Sequence, residues 1–147
     1  MTVNLDIPSA TSPARPASLS LWAGRAMSGL VILFLLLDGV IKLVPIAPVI
    51  ETLAGLGYPV EFARALGVLT LACTILYAVP RTAVLGAILL TGLLGGAMAT
   101  HLRVGSPVFT HLLFGFYLGL LAWGGLYLRD ARLRALLPFA RPSAPRS

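Results

Sequence analysis

Residues 82–100 read TAVLGAILLTGLLGGAMAT, nineteen in a row without a charge, broken only by threonine and glycine. As a helix rising 1.5 Å per residue, this stretch reaches about 28 Å, close to the ~30 Å hydrocarbon thickness of a bilayer. A helix of a soluble bundle would carry a polar stripe at the 3.6-residue period. None is present, so the segment reads as a membrane span.

Outward from it the chain repeats the pattern. Pro80-Arg81-Thr82 forms a tight turn, and an apolar run at 60–79 precedes it. A further run covers 21–44 and stops before Pro45. After the loop at 101–107 comes a fourth, at 108–128. Pro45, Pro48 and Pro59, with Gly55 and Gly57, mark a connecting segment that could hold a short interfacial helix. Residues 1–20 and 138–147 are rich in Pro, Ser and Ala and are expected to be disordered. The first apolar run continues into Asp38-Gly39-Val40-Ile41-Lys42 rather than a small-residue cleavage site, which argues against a cleavable signal peptide. The expected fold is all-α: one membrane domain at 21–137, built as a four-helix bundle.

Composition agrees. The 147 residues are 58% hydrophobic and 11% charged, with a mean hydropathy of +0.93. Soluble domains average about 25% charged residues, and a chain this short leaves much of its surface exposed. The net charge of +6 does not indicate nucleic acid, because the basic residues sit at the edges of apolar runs rather than along a groove. Cys73 is the single cysteine, so no disulfide or dithiol pair can form within the chain.

Counting basic flanks sets the orientation. Arg15, Arg25, Arg81, Arg129, Arg132, Arg134, Arg141 and Arg146 fall on one side, against Lys42, Arg64 and Arg103 on the other. The positive-inside rule then places both termini in the cytoplasm. Arginine outnumbers lysine ten to one, which hints at a bacterial source, so the bacterial inner membrane is the expected location. With that topology, the ionisable groups of four helices collect at the outward side. Asp38, Lys42, His101, Arg103 and His111 are the candidate ligand or proton site, with Glu61 and Arg64 as secondary members.

Asp38 and Lys42, four residues apart, share a helical face in the favoured acid-before-base order. Such a pair can fix helix packing or serve a ligand. The two histidines could shuttle protons, but no spacing rule supports a metal centre, and none is expected. Gly92-x3-Gly96, Gly95-x3-Ala99 and Gly115-x3-Gly119 are small-residue faces suited to helix packing or a dimer seam. Trp22, Trp123 and Tyr127 are expected as interfacial anchors.

Several stretches together resemble the DoxX-like membrane protein family. They are Asp38-Gly39-Val40-Ile41-Lys42-Leu43, Leu56-Gly57-Tyr58-Pro59 and Pro80-Arg81-Thr82-Ala83-Val84-Leu85-Gly86. Thr91-Gly92 and Gly95-Gly96-Ala97 then lead to His101-Leu102-Arg103, and Leu128-Arg129-Asp130 precedes Arg132-Leu133-Arg134. The resemblance implies a four-helix membrane bundle. The polar positions matching the family pattern are Asp38, Lys42, Arg81, His101 and Arg103. The wider superfamily includes a subunit of a thiosulfate:quinone oxidoreductase, proteins of thiol redox defence, cargo receptors and assembly chaperones.

Three functions are ranked on this basis. The first is an accessory membrane subunit that binds a small polar or quinone-type ligand beside a redox partner protein. The chain holds no self-contained catalytic or redox motif and no intrinsic cofactor is expected, so at most it is one subunit of a membrane oxidoreductase. The second is a non-enzymatic assembly or interaction protein, with homo-oligomerisation through the glycine faces. The third, a small transporter, ranks last because the inward halves of the spans look dry.

Overall fold

The computed structural model describes residues 17–137, apart from the side chains of Ala17, Ser18, His111 and Leu112. The tails at 1–16 and 138–147, where disorder is expected, lie outside the described residues. Every regular element described is helical: α1 (Ala17–Leu43), α2 (Ala47–Gly55), α3 (Phe62–Ala78), α4 (Ala83–Arg103), α5 (Leu113–Arg129) and α6 (Ala131–Leu136). A wider, π-type turn at Val108–Leu112 leads into α5.

Helix ends follow proline and glycine. Pro45 lacks an N–H and its ring would collide with the Ile41 carbonyl, so α1 stops at Leu43. Pro80 drives Val79 to an extended ψ of 121°, which ends α3. Two glycines at positive φ, Gly57 (74°) and Gly105 (70°), close α2 and α4. Each closure has the same paired bonds. Tyr58 N donates to Leu53 O and Gly57 N to Ala54 O, both at 2.9 Å; Ser106 N donates to His101 O at 3.0 Å and Gly105 N to Leu102 O at 3.1 Å. This is the Schellman arrangement, which needs a residue tolerant of left-handed backbone.

The four long helices form a ring in which α1 packs on α3 and α5, and α4 packs on the same two. Neighbours run antiparallel: α3, α4 and α5 follow one another through short connections, and α1 joins α3 through the segment that holds α2. Glycine permits their close approach. A Cβ on Gly67 would lie 2.8 Å from Gly39 O, one on Gly125 would lie 2.7 Å from Ser28 Oγ, and one on Gly86 would lie 2.2 Å from Tyr77 N. The core between them holds Val31, Leu35, Cys73, Tyr77, Leu90, Leu118 and Leu126.

Three helical segments, Leu19–Leu43, Ala83–Arg103 and Val108–Arg129, are long and apolar enough to cross a membrane, yet only 22–28% of their most apolar windows is buried inside the protein. Leu33, Leu37, Val40, Ile88, Phe116 and Leu120 all point outward. In water that surface would be prohibitive, whereas lipid accepts it. This is a membrane protein.

Three details depart from the sequence reading. Residues 17–20 are helical rather than disordered, because nothing after Pro16 breaks a helix and alanine and leucine favour one. The run at 60–79 yields a helix of 17 residues, Phe62–Ala78, about 25 Å long. Val60 and Glu61 are taken up by a turn in which Phe62 N donates to Pro59 O. Trp123 is no interfacial anchor: its indole N–H donates to Thr91 Oγ1 at 2.8 Å in the middle of α4, tying α4 to α5.

Candidate functional site

Where α1 ends, its last turns carry Asp38 and Lys42 on one face. The Lys42 ammonium donates to the Asp38 carboxylate, and each side chain is about a quarter exposed (25% and 28%). Gly39 and Gly67 let α3 press against this turn, since a Cβ on Gly67 would come within 3.0 Å of Lys42 Cβ. The ion pair is thereby set between helices rather than on an open surface.

The pair opens onto a half-open cavity of about 790 Å³ bordered by α1, α2, α3 and α4. Its walls are mostly aliphatic, including Leu35, Ile41, Leu53, Leu66, Leu89 and Leu93. Polar groups are few: Asp38, Lys42, Thr52, Tyr58, Thr70, Thr100, His101 and the Cys73 thiol. The short helix α2 roofs it, pinned by Val49 and Leu53 against Ala63.

Local backbone chemistry aims the polar groups. Ser106 follows the positive-φ Gly105, and its hydroxyl lies 3.0 Å from His101 Nδ1. The glycine closure of α4 thus orients the imidazole that the helix presents to the cavity. Tyr58, just after Gly57, brings its phenol within 3.2 Å of Thr100 Oγ1, linking α2 to α4. Arg103 extends to the other side of that joint and donates to Leu56 O at 2.6 Å, satisfying a carbonyl left free at the end of α2.

The structure therefore brings Asp38, Lys42 and His101 to one cavity. Arg103 braces α2 instead of lining it. Glu61 and Arg64 are exposed at the start of α3 and do not line the cavity. His111 lies in the π-type turn before α5, and its side chain is outside those described. Among the described residues no group of three or more His, Cys, Asp or Glu is arranged to hold a metal ion.

The glycine faces divide once their neighbours within the chain are known. A Cβ on Gly92, Gly95, Gly96 or Gly119 would meet nothing within 4 Å, so these four bring no helices together within the chain. Of the five proposed packing glycines, Gly115 has near neighbours, with Met98 Cγ at 2.9 Å. Gly92 and Gly96 instead border the cavity, where their lack of side chains leaves room.

Sequence reasoning also missed a polar network in the other half of the bundle. The Tyr77 hydroxyl donates to Ala122 O at 2.7 Å and lies 3.0 Å from Ser28 Oγ, joining α1, α3 and α5 inside the core. Arg129 caps it, with Nη2 donating to Tyr77 O at 3.2 Å and its guanidinium 5.2 Å from the Tyr77 ring centroid. The one available signal was a tyrosine inside an apolar run, whose hydroxyl must find a partner when buried. Tyr77→Phe is expected to cost about 1–2 kcal/mol, as one buried network loses its central hydroxyl. Detergent melting of the purified variant measures this, and an unchanged midpoint would show the network to be energetically idle.

The model of the DoxX-like family matches residues 26–125. That segment exceeds half of the chain and contains Asp38, Lys42, Arg81, His101 and Arg103, and the chain belongs to that family. No curated protein and no solved structure matches it.

Proposed function

We propose that this DoxX-like protein is an accessory membrane subunit that holds a small, largely apolar ligand, with a quinone head group as its redox version, in the cavity between α1 and α4. The observation that carries the reading is the cavity's lining: aliphatic walls with one ammonium–carboxylate pair and one imidazole among few polar groups. Small-molecule sites have this make-up, an apolar slot with a few placed polar groups. Lys42 or His101 donates to a ring oxygen, and Asp38 relays or tunes the proton. Reduction of a quinone to a quinol takes two electrons and two protons. The chain has no redox centre of its own, so the electrons come from a partner redox protein.

In this reading four helices cross the bacterial inner membrane, the shorter α3 being the second span, and both termini face the cytoplasm. The cavity then opens toward the outer leaflet, where a lipid-soluble quinone can enter laterally.

Quinone extracted from the purified protein, together with a melting shift on adding decylubiquinone, tests the proposal. Gly96→Phe should abolish both effects while leaving the fold intact, because position 96 borders the cavity and meets no neighbour. A protein that yields no quinone and melts unchanged at saturating decylubiquinone overturns the reading.

A second reading, a non-enzymatic assembly protein, draws support from Gly95 and Gly119, whose surfaces meet nothing within the chain. A partner helix or a second copy could approach there closely. Retention of a stoichiometric membrane partner by a quinone-free preparation favours it.

A further inference from the structure

The opposite end of the bundle holds a second pocket, of about 400 Å³, bounded by Arg25 of α1, Arg81 of the α3–α4 turn, Arg129 at the end of α5 and Arg132 of α6. Four arginines, contributed by four separate elements, line it together with one acidic residue, Asp130, and the Arg25 guanidinium lies 5.8 Å from the Trp22 ring centroid. The Asp130 carboxylate is already engaged, accepting from Arg132 N at 2.8 Å as the cap of α6. Among the described residues none of the four arginines is ion-paired with a carboxylate. Arg129 is anchored through Tyr77, yet its Nε is buried and has no hydrogen-bond acceptor.

A bias toward basic residues on one side of a membrane explains why arginines occur at this end. It does not explain why they converge. Dispersed arginines would repel one another less, and the pocket keeps four of them together with a single carboxylate, that of Asp130. The geometry points to a bound anion, and we propose that this pocket binds a phosphoryl group. Guanidinium forks match phosphate oxygens in pairs, and several forks on different elements can surround the tetrahedral group. Basic pockets between membrane helices recognise lipid headgroups by this chemistry. A free phosphate or an anionic phospholipid supplies the same group.

The test uses the full chain in phosphatidylcholine nanodiscs. Two probes are added separately: phosphatidylglycerol incorporated in the bilayer, and inorganic phosphate in the buffer. The readouts are the melting midpoint and, for lipid, retention in native mass spectrometry. Arg25→Gln/Arg81→Gln removes two guanidiniums that are exposed and make no backbone bond. Arg64→Gln, at the other end of the bundle, controls for loss of a positive charge away from the pocket.

The double variant should bind the effective probe at least about tenfold more weakly, as expected for lost charged hydrogen bonds. Arg64→Gln should bind as the parent does. Stabilisation by phosphatidylglycerol alone assigns the site to a lipid headgroup, and stabilisation by inorganic phosphate assigns it to a free anion. Either outcome supports the phosphoryl site. It is overturned if neither probe stabilises the parent, or if Arg64→Gln weakens binding as much as the double variant does.

Discussion

Gly86→Ala is expected to destabilise the protein by about 3 kcal/mol, the upper part of the range for overpacking a tight contact. The added methyl would sit 2.2 Å from Tyr77 N, 2.4 Å from Tyr77 Cα and 2.6 Å from the Leu76 carbonyl carbon. All three obstacles are backbone, so no rotamer change relieves them. Either α3 and α4 separate or the turn at Pro80 deforms. Separation would also disturb Tyr77, which joins α1, α3 and α5 through its hydroxyl and carries Arg129 on its carbonyl. The loss should therefore spread beyond one helix pair. Gly119→Ala is the matched control. Its methyl meets nothing within 4 Å, and alanine is the better helix former, so stability should hold or rise slightly. Melting in one detergent measures both variants. Similar midpoints for the two would show that α3 and α4 do not approach as closely as described.

Asp38→Ala should be the second severe change, costing about 2–3 kcal/mol, because it leaves the Lys42 ammonium without its counter-charge in an apolar setting. The double variant Asp38→Ala/Lys42→Ala should lose about half as much. It removes the pair's attraction and also the cost of holding an unpaired charge. Partial exposure of both groups keeps the figure below that of a fully buried pair. A double-mutant cycle by melting isolates the coupling. Single and double losses of equal size would mean that the two charges do not act on one another.

Much of the candidate site was legible in the chain itself. The four-residue spacing of Asp38 and Lys42 implies a shared helical face, and the two charges do pair. His101 joins them in the cavity because it ends α4, the helix that the turn at Pro80–Thr82 sends back toward the end of the bundle where α1 stops. Arg103, Glu61 and Arg64 were grouped with them by depth alone. Depth along a membrane normal does not specify direction around a helix. Arg103 turns to the end of α2, and the other two remain outside the cavity.

The glycines make the same distinction sharper. Gly24-x3-Ser28 and Gly92-x3-Gly96 look alike as patterns, and both suit a close helix contact. In the folded chain Gly24 and Ser28 meet Gly125 and Leu128 of α5, while Gly92 and Gly96 face a cavity. Small residues license a close approach without naming the partner.

Local chemistry alone settled which long runs are helical, where proline and glycine stop them, and that lipid must solvate their outer surface. Those properties depend on residues a few positions apart, or on composition summed along a run. The ring order of the helices had to come from tertiary structure. So did the roof that α2 places over the cavity, the bonds of Tyr77 and the gathering of Arg25, Arg81, Arg129 and Arg132. Each joins residues tens of positions apart, and their meeting depends on how helices rotate and lean against one another, for which no short stretch of sequence carries the coordinates.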